Sequence, residues 1–190
     1  MDERMSLLMS DSSTGDSNKE TMLDFILSWT LRRAQSSYSN EKPMLYRYCR
    51  EILFNLLEIN DFNGIEVESV ETWKQWERID LHANINLRMP DGSKQYHTLL
   101  VENKVYTMTR EGQLANYKKI FTETYKDTEY AGHMHFVLIT CFESTDNPSR
   151  ILEADCEKNG YRFLPILKLF QNDKPDSESD IFNEFWLRQW

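Results

Sequence analysis

A two-residue alternation of apolar and polar side chains runs through Ile79-Asp80-Leu81-His82-Ala83-Asn84-Ile85-Asn86-Leu87-Arg88, within the segment 77–88. This pattern is typical of a strand that buries one face and exposes the other. The following Pro90-Asp91-Gly92-Ser93 predicts a turn, because proline presets φ and glycine accepts positive φ. Strand-like runs at residues 65–70 and 95–106 lie on either side. The three segments together predict an antiparallel meander.

Helical and strand-like patterns surround this meander. Helices are predicted at about residues 18–34, 43–57, 109–125, 147–159, 166–170 and 180–190, and further strands at about 135–141 and 161–165. The strand at 135–141 is almost continuously apolar, which is typical of a strand covered on both faces. We therefore expect an α/β fold in which a central mixed β-sheet, the antiparallel meander plus further strands, is flanked by helices.

The length of 190 residues predicts one domain, which we place at residues 18–190. Residues 1–17 end in a run of small polar residues, so we expect a mobile N-terminal tail. No apolar run has the length of a signal peptide or a membrane span, which predicts a cytoplasmic protein with no membrane partner. Three widely spaced cysteines without a Cys/His cluster indicate reduced thiols rather than a zinc site.

The formal net charge of -9 argues against a general nucleic-acid-binding protein, since contacts with phosphates dominate such binding. A metal site needs carboxylates, however, and a local basic rim can coexist with an acidic chain. The charge therefore lowers the expectation of a nuclease without excluding one.

Candidate chemistry centres on the last strand of the meander. Glu102 and Lys104 are two residues apart, so both side chains leave the same face of the strand, about 7 Å apart. A hairpin through the predicted turn would place Asp80 opposite or next to Glu102. Two carboxylates beside a lysine can hold a divalent ion through hard oxygen ligands. Such an ion can activate water and stabilise charge on a scissile phosphate.

An acid and a lysine two residues apart also occur by chance on solvated strand faces. Here Leu99, Leu100 and Val101 make the strand apolar, and a charged pair in an apolar strand needs a reason. The apolar setting favours a functional role for the pair.

Three segments of the chain resemble the PD-(D/E)XK nuclease superfamily. They are Arg78-Ile79-Asp80-Leu81, Val101-Glu102-Asn103-Lys104 and Gln113-Leu114-x-x-Tyr117. Within the superfamily, the sequence is most similar to the bacterial branch whose core strand reads I-E-N-K and whose next helix carries Q-L-x-x-Y. The resemblance covers residues 78–117 and implies a restriction-endonuclease-like core.

The resemblance also implies roles for individual residues. Asp80 and Glu102 would bind Mg2+, with Mn2+ as a substitute, and Lys104 would be the catalytic lysine. Gln113 and Tyr117 would form a supporting pair on the helix, where a spacing of four residues places both on one face.

The identity of a third acidic metal ligand stays open. Similarity of residues 20–29 to the first helix of that branch implies that Glu20 binds the metal. The sequence Ser17-Asn18-Lys19-Glu20 also fits a capping box, in which Glu20 would stabilise the start of the helix. Glu51 and Glu68 are alternative third acids.

Some histidines and tryptophans are weaker candidates. His82 shares a strand face with the first predicted metal ligand and could assist there or be solvated. His133 and His135 could bind a metal but lack a third ligand nearby in the sequence. Trp73 and Trp76, between two predicted strands, would stack on bases or, more often, cover the core.

We therefore expect a Mg2+-dependent phosphodiesterase, a nuclease acting on DNA rather than RNA. An alternative is a catalytically silent relative that keeps the fold as a module binding nucleic acid or protein in a mobile-element or defence system. The acidic charge favours this alternative. A third interpretation is a chance pattern in an α/β interaction protein. The aromatic C-terminal helix is compatible with a core element or with an interface in a homo-oligomer.

Overall fold

The computed structural model describes residues 5–9, 17–143 and 145–189, with the backbone alone for residues 17 and 18. Most of the predicted N-terminal tail, and the side chain of Ser17 that would complete a capping box, lie outside these described parts. Residues 5–9 contact the C-terminal segment: Met5 forms a bridge with Gln189, and Met9 is buried in the core.

The described chain contains five strands and six helices in the predicted order. Their bounds are α1 (Ser17–Arg33), α2 (Pro43–Leu56), β1 (Glu66–Trp76), β2 (Ile79–Arg88), β3 (Lys94–Lys104), α3 (Gln113–Tyr125), β4 (Met134–Thr140), α4 (Asn147–Asn159), β5 (Arg162–Pro165), α5 (Ile166–Leu169) and α6 (Asp180–Phe182). A single π-helical turn, Asn183–Leu187, follows α6. None of the helices in the described ranges has both the length and the apolar character needed to cross a membrane.

The five strands form one mixed sheet in the order β1-β2-β3-β4-β5. Strands β1, β2 and β3 pair antiparallel as the predicted meander, whereas β4 pairs parallel with β3, and β5 pairs parallel with β4. The β2–β3 turn closes through two hydrogen bonds, in which the Met89 N–H donates to the Ser93 carbonyl and the Gly92 N–H donates to the Met89 carbonyl, and Gly92 has a φ of 84°. The expected α/β fold with a central mixed sheet is confirmed.

Helices cover both faces of this sheet. On one face, α1, α2 and the C-terminal segment pack against β-strand side chains such as Leu81, Leu99 and Val101. On the other face, α3 and α4 pack against Leu100 and Leu138. Consecutive β3 residues therefore face different helical layers. A polar residue at the end of β3 contacts either the α1 and α2 layer or the α3 and α4 layer, depending on its position.

Three predicted element boundaries are wrong. Helix α3 begins at Gln113 and not near residue 109, because Gly112 just before it has a φ of 71°, outside the range of a right-handed helix. Strand β1 continues to Trp76 instead of ending near residue 70, so Trp73 and Trp76 lie inside the strand and not between strands. The cross-strand pair of Trp73 with His82 explains the extension, because their rings stack at 4.5 Å and add aromatic contact to the ladder.

The C-terminal helix is also shorter than predicted. Only Asp180–Phe182 is α-helical, and the wider π-helical turn that follows brings Phe185, Trp186 and Leu187 inward. The Trp186 indole donates a hydrogen bond to Thr30 of α1 at 3.1 Å. This segment is thus a core element within the chain.

Truncation of Phe182 tests how far the C-terminal segment contributes to that core. Phe182 is fully buried and stacks on Tyr48 of α2. We expect Phe182→Ala to lower the free energy of unfolding by about 3–5 kcal/mol in urea titrations, because large buried side chains leave a cavity when truncated. The neighbouring Ile181 is 54% exposed, so Ile181→Ala is the matched control and should change stability by less than about 0.5 kcal/mol. Equal effects of the two substitutions would contradict the placement.

Candidate active site

The candidate site lies where β3 ends, between α1 and α3. Glu102 and Lys104 belong to the β3 face that is covered by α3, and Asn103 between them points to α1. All three side chains are buried, with exposed fractions of 1%, 9% and 0% for Glu102, Lys104 and Asn103. Because side chains alternate between the two faces of a strand, these three consecutive residues present polar groups to both α1 and α3.

Asp80 lies beside this strand end. The β2–β3 register pairs Leu81 with Val101, one residue short of Asp80 and Glu102. One Asp80 oxygen accepts the backbone N–H of Asn103 at 2.9 Å, and the other accepts the Gln75 side chain at 3.3 Å. Burial raises the pKa of Asp80, against the lowering effects of the Asn103 hydrogen bond and the Lys104 charge.

Glu102 and Lys104 form a buried ion pair. The Lys104 ammonium lies 2.7 Å from Glu102 Oε1, and the same oxygen accepts the Gln113 amide at 2.5 Å. Glu102 Oε2 is buried and has no hydrogen-bond partner among the described residues. One oxygen of this carboxylate is therefore held by the protein, whereas the other has no hydrogen-bond partner among the described residues, which is unusual for a buried polar atom.

The pKa values of the pair are both raised. Burial, followed by the charge of Asp80, raises the pKa of Glu102 to about 8, although Lys104 acts in the opposite direction. Burial lowers the pKa of Lys104, but the charge and hydrogen bond of Glu102 outweigh it, so its pKa lies above the usual value. Lys104 is therefore a charged ammonium group at neutral pH.

Gln113 and Tyr117 face this pair from α3. The Gln113 amide donates to Glu102 and also contacts the Tyr117 hydroxyl at 3.4 Å, and its carbonyl oxygen accepts the Arg110 backbone N–H at 3.0 Å. Burial and the charge of Glu102 raise the pKa of Tyr117. The structure therefore brings the predicted helical pair onto the predicted strand pair.

Glu20 reaches the same strand end from α1. Its Oε1 accepts the Val105 backbone N–H at 3.2 Å and the Thr107 hydroxyl at 2.5 Å. Its negative charge acts on Glu102 and Lys104. Glu20 is thus close to the predicted metal ligands.

The two alternative third acids are engaged elsewhere. Glu51 pairs with Lys174 at 2.5 Å, and Glu68 pairs with Arg88 and Lys94 at the far ends of β2 and β3. These contacts leave Glu20 as the predicted third acid that lies near Glu102.

A further acid, Asp24, was missed as a site residue from the sequence. It is 4% exposed, and its two oxygens accept hydrogen bonds from Asn103 at 2.5 Å and from Gln75 at 3.3 Å. Burial, followed by the charge of Asp80, raises the pKa of Asp24 to about 7. A signal was present in the sequence, because Asp24 is four residues after Glu20 and stands in the apolar run of α1.

The histidines do not join the carboxylates. His82 is buried between aromatic rings, with Trp73 stacked at 4.5 Å, and burial lowers its pKa to about 4. His133 and His135 gain His97 as a third neighbour, and His97 Nδ1 lies 3.0 Å from His135 Nε2. Packing against neighbouring rings explains the positions of His82 and of the three stacked histidines.

The fit of a divalent ion can be judged from the donor atoms. Across the described residues, no three His, Cys, Asp or Glu side chains are grouped so that they could hold a metal by themselves. Mg2+ in proteins is usually held by one or two carboxylates together with water and substrate phosphates. Asp80 and Glu102, with the free buried Oε2 of Glu102, fit that hard-oxygen arrangement.

Comparison with known protein families agrees with the fold. The family model of the PD-(D/E)XK nuclease superfamily matches residues 5–169, which include every residue of the candidate site. The chain therefore belongs to the PD-(D/E)XK nuclease superfamily. Searches of curated proteins and of solved structures found no match.

The raised pKa values predict that metal-free protein loses stability as pH rises. Because folded Glu102 keeps its proton up to about pH 8 whereas the unfolded chain releases it near pH 4.5, stability falls between these values and levels off above them. Asp24 adds a similar loss between 3.8 and about 7.

We expect Glu102→Gln to flatten this pH dependence. In urea titrations with EDTA, the stability of wild type should fall by on the order of 1–2 kcal/mol more than that of the variant between about pH 5 and 8.5, on top of any constant offset from the loss of the Lys104 partner. Glu157→Gln, at an exposed position of α4, should keep the wild-type slope. Parallel pH profiles for wild type and Glu102→Gln would contradict a raised pKa of Glu102 in the folded protein.

Proposed function

We propose that the protein is a metal-dependent nuclease that hydrolyses phosphodiester bonds in nucleic acid, with DNA preferred to RNA and Mg2+ as the ion, for which Mn2+ can substitute. The observation that carries the proposal is the gathering of Asp80, Glu102 and Lys104 at one strand end, with Glu102 Oε2 buried and unpaired. Membership of the nuclease superfamily supports it. We also place the chain in the bacterial branch with the I-E-N-K strand and the Q-L-x-x-Y helix.

Each side chain has a definable task in this scheme. Asp80 and Glu102 would hold the ion, with Glu20 as a further acidic ligand. A bound Mg2+ supplies a water of lowered pKa and neutralises charge on the phosphate. Lys104 orients and activates the attacking water as a fixed positive charge, because the carboxylate form of Glu102 that would bind the ion also keeps Lys104 protonated.

The helix α3 and the amide of Asn103 hold these groups in place. Gln113 fixes one Glu102 oxygen, so the orientation of the second oxygen does not depend on the ion. Asn103 fixes Asp80 through its backbone and Asp24 through its side chain. Such preorganisation lowers the cost of arranging charges during the reaction.

Removal of the Lys104 ammonium tests the catalytic proposal. Plasmid and single-stranded DNA should be cleaved by wild type in Mg2+ or Mn2+. Lys104→Ala should cleave about 100- to 1,000-fold more slowly, as is typical when one preorganised charge or donor is lost. Lys126→Ala removes an exposed lysine just after α3 that pairs with Glu123, and it should retain wild-type activity.

The same experiment separates the proposal from the catalytically silent alternative. That alternative draws on the net charge of -9 and predicts binding without cleavage. Wild type that shows neither cleavage of these substrates nor metal binding by calorimetry would overturn the enzyme proposal.

Metal affinity should depend on pH in a defined direction. Since Glu102 must lose its proton to bind an ion, and its pKa is raised to about 8, Mg2+ should bind more tightly as pH rises from 6.5 towards 8. Calorimetry in buffers of different ionisation enthalpy should detect proton release on binding, with about tenfold tighter binding across this range. Asp80→Asn should abolish the heat signal. Affinity that does not change with pH would argue against Glu102 as a ligand.

A further inference from the structure

A groove of about 540 Å3 lies next to the candidate site and is not explained by the residues assigned so far. Gln113 and Tyr117 form the wall that it shares with the site. Its outer wall carries two arginines, Arg78 from the β1–β2 hairpin and Arg110 from the loop before α3. We call this cavity the arginine groove.

The backbone that presents Arg78 is unusual. Trp76 pairs with Ile79, so Glu77 and Arg78 form a two-residue hairpin loop. Their φ angles are 51° and 67°. Two-residue loops with positive φ at both positions are normally filled by Asn, Asp or Gly, because other side chains are strained there. Strained residues of this kind cluster at functional sites.

The two arginines are also available for a ligand. Among the described residues, neither guanidinium group forms an ion pair or a hydrogen bond, although Glu77 and Glu111 line the same groove. Arg110 uses only its backbone N–H, which donates to Gln113. Several arginines elsewhere are engaged with protein groups: Arg33 with Glu41, Arg50 with two backbone carbonyls, Arg88 with Glu68, Arg162 with Asn55 and Arg188 with Asp176.

We propose that the arginine groove holds the nucleic-acid backbone beside the scissile phosphate, with Arg78 and Arg110 contacting flanking phosphates. The inference rests on the proposed function, since it assigns the path of the same substrate. Charge complementarity selects the occupant, because a guanidinium group matches the geometry of a phosphate. Continuity with Gln113 and Tyr117 joins that path to the catalytic carboxylates.

The strain at residue 78 allows a test that separates binding from folding. Arg78→Gly removes the charge and also places glycine at a positive φ, so this variant should melt at a higher temperature than wild type and yet bind nucleic acid more weakly. Glu77→Gly is the matched control. It relieves the same kind of strain but removes a negative charge, so it should melt higher and bind at least as tightly as wild type.

Binding would be measured by fluorescence anisotropy with a labelled DNA duplex of about 20 base pairs in EDTA, so that the probe stays intact, across about 25–200 mM KCl. Arg78→Gly and Arg110→Ala should each weaken binding about 3- to 10-fold and reduce the salt slope by about 1. Two duplexes of unrelated sequence should show the same losses, because backbone contacts carry no sequence information.

The results distinguish this inference from the nuclease proposal. Wild-type affinity and salt slope in both arginine variants, absence of salt-dependent binding by wild type, or losses confined to one sequence would overturn the groove assignment. Wild type that binds through these arginines, but cleaves neither the probe nor plasmid or single-stranded DNA in Mg2+ or Mn2+ and binds no metal by calorimetry, would leave the groove in place and overturn the nuclease proposal.

Discussion

The buried ion pair between Lys104 and Glu102 is the interaction on which the rest of the site depends. Burying two charges is costly unless the geometry of the pair is good and the remaining donors and acceptors of both groups form hydrogen bonds. The 2.7 Å contact and the Gln113 amide meet this condition for one Glu102 oxygen, while the other oxygen has no partner among the described residues. The protein alone therefore leaves the pair incomplete. A cation at Oε2 would complete it.

Asn103 couples this pair to two other parts of the fold. Its backbone N–H binds Asp80 of β2, and its side chain binds Asp24 of α1. Gln75, at the end of β1, contacts both of these carboxylates. One asparagine and one glutamine thus connect α1, β1, β2 and β3. This arrangement buries the carboxylates and holds like charges close together, and burial first, then the neighbouring charges, raises the pKa values of Asp24, Asp80 and Glu102.

Much of the fold could be predicted because its local signals are strong. The alternation over residues 79–88 and the turn at residues 90–93 predict the β2–β3 hairpin, and the structure forms it in a register that brings Asp80 to the end of β3. Spacing also predicts that Gln113 and Tyr117 share a helix face. These features depend on residues close in sequence or on one simple pairing.

The missed features depend on contacts between distant segments. Asp24 becomes a site residue only when α1 packs over β3, 79 positions later in the chain. The hairpin at Glu77 and Arg78 gives no turn signal, because neither residue is typical of positive φ. The extension of β1 through Trp73 follows from stacking on His82 across the ladder. Periodicity within one segment cannot show any of these.

Several energetically costly features of this fold lie beside the proposed site. Three of the four non-glycine residues with positive φ in the described chain, Gln75, Glu77 and Arg78, lie at the hairpin that touches Asp80, and the fourth, Glu58, follows α2, while both sheet faces carry a buried apolar core. Glycine at 77 or 78 would relieve this backbone strain without disturbing that core. A fold kept only as an inert scaffold would have no physical need for them. Their position beside the unpaired Glu102 oxygen and the arginine groove therefore favours a site that binds metal and phosphate.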